Sequence, residues 1–242
     1  MFEPSEHGFE GIMIVSHKHK FIFLKTAKTA GTSIEIALSK FVGDQDIVTP
    51  ISAADEQIRR SLGYRGPQNF RVPCRQHSAV ELCLAALRGR RKSFYNHMTA
   101  DEARTLIGEN IWNSYYKFCF ERNPFDRVIS LYYWCHKQEP RPTISQFIDG
   151  RQIELLSLRG LGVYTTGDGQ IAVDKVGRYE SLVDDLEEIR RTLGLSEPLN
   201  LPHAKAFHRK NGRHYSEDID EHCRRKIEAR FRREIELWNY QF

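Results

Sequence analysis

At 242 residues, with 40% hydrophobic, 11% aromatic and 28% charged residues, the chain has the composition of an ordinary globular protein and is neither disordered nor collagen-like. That length suits one α/β domain over 1–242, because a single core remains viable up to roughly 250 residues. Lys and Arg number 36 against 32 Asp and Glu, a formal charge of +4 that suits an anionic ligand without calling for nucleic acid.

The longest apolar runs, such as Phe21-Ile22-Phe23-Leu24, fall far short of the roughly 18 residues of a membrane span. Met1 to Glu6 lacks the basic start and apolar stretch of a secretory signal, so a cytoplasmic location is the default expectation. Cys74, Cys83, Cys119, Cys135 and Cys223 form no CxxC pair and are odd in number, which argues against a disulfide framework and a zinc ribbon. Free, mostly buried thiols are expected.

In chain order, residues 12–15 and 21–24 read as two strands joined by the turn Ser16 to Lys20. The HxH spacing of His17 and His19 has no carboxylate or cysteine close by, so it reads as a solvated turn, and no metal is required. The second strand feeds Lys25 to Ser33, followed by Ile34, Ala37, Leu38 and Phe41 at helical spacing. Residues 44–76 read as a loop-rich insertion with one short helix around 52–61. Helices are expected at about 78–88 and at about 100–107, the latter from the capping box Thr99-x-x-Glu102 and the stop at Gly108. Tyr115 to Phe120 reads as a buried strand, and Asn123-Pro124 supplies an N-cap and a first-turn proline for a helix burying Phe125, Val128, Ile129 and Tyr132. A strand at 175–178, a helix from Leu182 to Leu193 and a terminal helix opened by Ser216 complete the pattern. Alternating strands and helices predict an α/β fold whose central, mainly parallel sheet is covered on both faces.

Two segments carry chemistry. In Lys28-Thr29-Ala30-Gly31-Thr32-Ser33, small residues at a strand-to-helix turn let backbone N–H groups approach an anion, the helix N-terminus adds partial positive charge, and Lys28 with the hydroxyls completes a phosphate cradle. It departs from the Walker A pattern, since its lysine precedes the glycine. In Phe120-Glu121-Arg122-Asn123-Pro124-Phe125-Asp126-Arg127-Val128-Ile129-Ser130, Arg122 stands at the carboxyl end of a strand, where open α/β sheets bind nucleotides, and Ser130 is placed to share its anion. Asp126 reads as the capping-box partner of Asn123 and Arg127 as a solvent-facing charge. Strand alternation points Glu121 away from Arg122, toward either a basic partner on the other face or the acceptor side.

Together, the KTAGTS turn and the RNPFDRVIS segment resemble the sulfotransferases that use 3′-phosphoadenosine 5′-phosphosulfate (PAPS), and most closely the branch acting on carbohydrates. The segment Val176 to Leu182 and the stretch Ile235 to Tyr240 also resemble that family. The resemblance implies a P-loop NTPase-like three-layer fold, a 5′-phosphosulfate held by Lys28, Thr29, Ala30, Gly31, Thr32 and Ser33, and a 3′-phosphate held by Arg122 and Ser130. It implies His97 as the base for the acceptor hydroxyl and places Arg209, in the basic stretch Phe207 to Arg213, near the 3′-phosphate or the acceptor; His77, a second histidine able to titrate near neutrality, is the rival base or an acceptor contact. The expected acceptor is a sugar hydroxyl of a polysaccharide, oligosaccharide or glycolipid, with Tyr132, Tyr133, Trp134 and His136 as candidate walls of its cleft. This chain departs from the family at Ala27, where proline commonly precedes the lysine, and at Glu121, where an apolar residue is usual. An ATP-dependent kinase on the same sheet, and a non-catalytic module binding anionic glycans through Arg88 to Lys92, are the alternatives.

Overall fold

The computed structural model describes residues 13–72, 93–95, 97–202 and 214–242. The helix expected at about 78–88, the cluster Arg88 to Lys92, His77, Arg209, Cys74 and Cys83 lie outside the described residues.

The strands are β1 (Met13–Ser16), β2 (Phe21–Leu24), β3 (Ile47–Val48), β4 (Tyr116–Glu121) and β5 (Lys175–Arg178), in the sheet order β3-β1-β2-β4-β5. β1 runs antiparallel to both β2 and β3, while β2, β4 and β5 are mutually parallel, so β1 alone opposes the common direction. The sheet is mostly parallel by direction, with an antiparallel hairpin set in its middle. Asp46 holds that hairpin's turn, accepting from Ser16 Oγ at 2.7 Å and from His17 N at 2.8 Å.

Side chains on both faces of the strands are buried, as a three-layer architecture requires. On one face Ile14, Phe21, Phe23, Phe118 and Phe120 pack against Ile34 and Leu38 of α1 (Gly31–Leu38) and against Leu186 and Ile189 of α9 (Leu182–Thr192). On the other, Met13, Val15, Ile22, Leu24 and Cys119 meet α3 (Ala100–Ile107), Trp112 of α4 (Glu109–Ser114) and α8 (Leu161–Tyr164). The short helix α2 (Ala53–Ser61) docks on α1 through the fully buried pair Arg59–Glu35, 2.7 Å apart. Burial pushes the Glu35 carboxyl up to about 8 against the opposing pull of Arg59 and Lys25.

Local signals act as the sequence predicts at two helix starts. Thr99 and Glu102 close a reciprocal capping box on α3, and Asn123 accepts from Phe125 N at the head of α5 (Pro124–Cys135). Two segments differ. Residues 137–164 hold three helices: α6 (Ile144–Ile148) and α7 (Arg151–Leu158) pack with α5 around Phe125, Val128 and Ile129, while α8 packs on the sheet with Met13, Val15 and Trp112. Ser216 lies in a 3-10 turn rather than opening a helix; Asp220 caps α10 (Glu221–Arg230), and α11 (Arg232–Trp238) follows after Phe231. Cys119, Cys135 and Cys223 are free thiols. Among the described residues no helix is long and apolar enough to cross a membrane.

Candidate active site

The parallel strands β2 and β4 deliver their carboxyl ends side by side, the place where open α/β sheets bind ligands. At the end of β2 the chain turns through Lys25 to Ala30 into α1. Lys28 (φ 66°) and Ala30 (φ 61°) both adopt the left-handed conformation, which costs a side-chain-bearing residue of order 1 kcal/mol or more. Such alternation turns successive N–H groups toward one concavity, the geometry of an anion nest. Ala30 also gives α1 an N-cap without a side-chain hydrogen bond, so no side chain there competes with an anion for the first-turn donors.

Internal hydroxyl contacts hold this loop. Thr26 Oγ1 donates to the Phe120 carbonyl and lies 2.9 Å from Thr29 Oγ1, and both threonines are buried. The Thr29 hydroxyl is therefore spent on the loop itself, leaving its backbone N–H as its means of meeting an anion. Ala27 N donates to the Arg159 carbonyl at 2.8 Å, which clasps the loop to the end of α7. The Ser33 hydroxyl makes no hydrogen bond to another described side chain.

Lys25, which the motif reading passed over, is buried, with Nζ donating to Thr32 Oγ1 at 2.7 Å. Its stem crosses the face of Gly31, where a Cβ would stand 2.5 Å from Lys25 Cγ and 2.9 Å from Cδ. Gly31 thus makes room for a lysine. Gly31→Ala is expected to displace Lys25 and to destabilise the protein by about 1–3 kcal/mol, as overpacking does. A denaturant midpoint equal to that of the parent would remove this explanation of the glycine.

His97 reaches the same loop from the segment before α3. Its Nδ1–H donates to the Lys25 carbonyl at 2.9 Å; a carbonyl only accepts, so the proton is fixed on Nδ1 and Nε2 is the basic nitrogen. The residue is held at φ 53°, another left-handed position at this loop. Burial, then the positive charges of Lys25, Arg159 and Arg127, push its pKa down to about 3, outweighing the hydrogen bond to Lys25.

At the end of β4, Arg122 is almost wholly buried and commits three of its five N–H donors to protein partners. Nε and Nη2 donate to Asp126 Oδ2 at 2.9 and 2.6 Å, Nη1 donates to the Lys28 carbonyl at 2.9 Å, and the guanidinium lies 3.9 Å from the centroid of the Tyr179 ring. Asp126 is thus the carboxylate that orients Arg122, not a capping-box partner of Asn123. Ser130 is partly exposed one turn beyond Asp126, and i, i+4 spacing puts the two on one face of α5. Arg127 is not solvent-facing: it is fully buried and paired with Glu121, itself fully buried. Of the two roles open to Glu121, pairing with a basic residue is the one the structure shows.

The chain matches the sulfotransferase family over residues 12–160 and 164–241. It belongs to the sulfotransferase family. A similar protein from Archaeoglobus fulgidus, itself uncharacterized, is 29% identical over 108 residues, which cover 43% of this chain and 88% of that relative. Membership makes sulfuryl transfer to an acceptor the activity to be explained.

In this family member the predicted site residues fall into two groups. Lys28 to Ser33, Arg122 and His97 are brought together at the ends of β2 and β4, while Ser130 stands further along α5. The aromatic run on α5 divides. Tyr132 is buried with its hydroxyl on the Pro142 carbonyl at 2.7 Å, and Tyr133 and Cys135 pack against the same cluster. Trp134 stands outside that cluster, its ring centroid 5.2 Å from Lys28 Nζ. Arg159 is the other residue that motif reading missed; its only signal is its spatial approach to His97, which no spacing in the chain reveals.

Proposed function

We propose that this protein transfers a sulfuryl group from PAPS to a hydroxyl of a carbohydrate acceptor, within a polysaccharide, oligosaccharide or glycolipid, and releases adenosine 3′,5′-bisphosphate. The reading takes 1–242 as one catalytic domain, with 44–76 as a loop-rich insertion. The observation that carries it is the hydrogen bond between Arg122 Nη1 and the Lys28 carbonyl, which ties two anion-binding turns into one site. A donor with phosphates at its 5′ and 3′ positions matches two such turns; a single triphosphate chain matches one.

In this reading the nest of Lys28 to Ala30, the first-turn N–H groups of α1 and the Ser33 hydroxyl hold the 5′-phosphosulfate, and Arg122 with Ser130 holds the 3′-phosphate. By family resemblance Arg209 is assigned to the same phosphate or to the acceptor. Transfer joins the acceptor oxygen to sulfur, breaks the bond from sulfur to the bridging phosphate oxygen and leaves the electron pair on that oxygen. Lys28 supplies the ammonium that compensates the charge developing there. His97 Nε2 takes the acceptor's proton, and its fixed tautomer makes that nitrogen available. Negative charge brought by the donor offsets Lys25, Arg159 and Arg127, and so raises the basicity of His97 when transfer is due.

Thermal unfolding with adenosine 3′,5′-bisphosphate beside ATP plus magnesium tests the donor. The bisphosphate at 100 times its Kd is expected to add about 2.7 kcal/mol of stability. A shift with ATP and none with the bisphosphate would replace the transferase with a kinase. No shift with either, together with salt-sensitive glycan binding, would favour the non-catalytic module.

A further inference from the structure

The RNPFDR segment contains a second arginine that touches neither turn of the proposed donor site, yet is connected to both. Arg127 has no exposed surface and lies in the first turn and a half of α5, five residues after Arg122. Its Nη1 donates to Glu121 Oε1, and the same carboxylate oxygen accepts Arg122 N–H at 3.0 Å. Glu121 Oε2 accepts from the Tyr164 hydroxyl at 2.9 Å, which in turn accepts from Trp238 Nε1 at 3.0 Å. On its other side the guanidinium fills the space over Gly160, where a Cβ would stand 2.5 Å from Nη2 and 2.8 Å from Cζ. Gly160 directly follows Arg159, whose carbonyl clasps the β2–α1 loop at Ala27.

This arrangement is poor as a source of stability. Arg127 Nε and Nη2 and Glu234 Oε1 are buried without a hydrogen-bond partner among the described residues, and Nη2 stands 3.6 Å from Glu234 Oε1. A buried ion pair so incompletely satisfied is commonly no better than apolar residues of the same volume. What it provides is a fixed distance. The strand end that carries Arg122 and the turn that clasps the loop carrying Lys28 both rest on one planar, rigid group.

We propose that Arg127 is a positioning residue: its guanidinium, clamped between Glu121 and the Arg159–Gly160 turn, sets the spacing between the two anion-binding turns. The proposal rests on the donor-site reading above. Reacting groups misplaced by about 1 Å cost about 100-fold in rate, so the device acts through geometry rather than contact.

The test compares the parent protein, Arg127→Lys and the triple variant Glu121→Gln/Arg127→Met/Glu234→Gln. Arg127→Lys keeps the charge and loses the fork. The triple variant removes the three buried charges together, while the amide oxygen at position 121 still offers Arg122 N–H an acceptor, so it serves if the single variant does not fold. Both are expected to weaken adenosine 3′,5′-bisphosphate binding by about tenfold, by analogy with the loss of outer-shell support around a metal site. They are also expected to lower kcat, with KM for the acceptor within about twofold of the parent, a split that general loosening of the fold would not produce. A folded variant with unchanged bisphosphate affinity and kcat would overturn the proposal. Failure of the parent itself to bind the bisphosphate would overturn the donor-site reading instead.

Discussion

Lys28→Gly is expected to lower kcat for sulfuryl transfer by about 100- to 1,000-fold, the usual cost of removing one electrostatic contact to a developing oxyanion, while leaving Tm unchanged or slightly raised. The two effects separate because of how the loop is built. Arg122 grips the Lys28 carbonyl, which every residue supplies, so the link between the two turns survives loss of the side chain. At φ 66° glycine is at ease where lysine is not, and the relief offsets the lost contact with Trp134, worth about 0.5–1 kcal/mol at a partly exposed site. Steady-state kinetics beside a thermal melt decides the matter. Turnover within tenfold of the parent would remove Lys28 from the leaving-group side of the reaction.

His97→Asn is the second large effect. Asparagine tolerates a left-handed backbone better than most residues, and its side-chain amide can donate to the Lys25 carbonyl as Nδ1–H does, so the variant keeps the local fold and loses the proposed base. The expected loss in kcat is about 100- to 10,000-fold, with bisphosphate affinity retained. Two pH profiles follow from the depressed pKa. In the donor-free protein His97 is neutral far below the ordinary histidine range, so the acid limb of kcat/KM belonging to it lies near 3, while donor charge moves the corresponding limb of kcat upward. For stability, the unfolded chain takes up a proton at about 6.5 that the folded one refuses until about 3, so stability is lost as pH falls through that window. Between pH 7 and 5 the loss from this residue is about 2 kcal/mol, and His97→Asn abolishes it. An acid limb of kcat/KM that stays in place in the variant would show that another group is the base.

What the sequence made legible was local. Thr99 and Glu102, three apart, announce a capping box, and Asn123-Pro124 announces a helix start, because the partners lie within one turn of chain. Both turns of the proposed donor site were visible for the same reason: small residues, Lys28 and Arg122 sit where a strand gives way to a helix. Arg127 was misread because a charge in an amphipathic stretch defaults to the solvent face, and the groups that bury it, Glu234, Tyr164 and Gly160, come from distant segments. Asp126 was misread through competition between two short-range roles: capping Asn123 and orienting Arg122 both require a carboxylate at that position. Lys25 escaped notice since nothing in the chain says that Gly31 leaves a channel for its stem. Helices α6 and α7 were not seen because their short apolar stretches face α5 and α10 and show no clear period of their own, and α8 is a single turn packed on the sheet.

The contacts that make the site also dictate when it can form. Arg122 and Lys28 are 94 positions apart, and Asn123 Nδ2 binds the Gln241 carbonyl across 118. During synthesis the β1–β2 hairpin can close early, but the β2–α1 turn lacks its bonds from Thr26 to the Phe120 carbonyl and from Arg122 to the Lys28 carbonyl until β4 emerges from the ribosome. Arg127 then waits for Glu234. The two turns of the proposed donor site are therefore joined by contacts of high sequence separation, whose loop-closure entropy makes them slow to form. A nascent chain released before α11 would carry every residue of the KTAGTS and RNPFDRVIS segments and still lack the architecture that makes them one site.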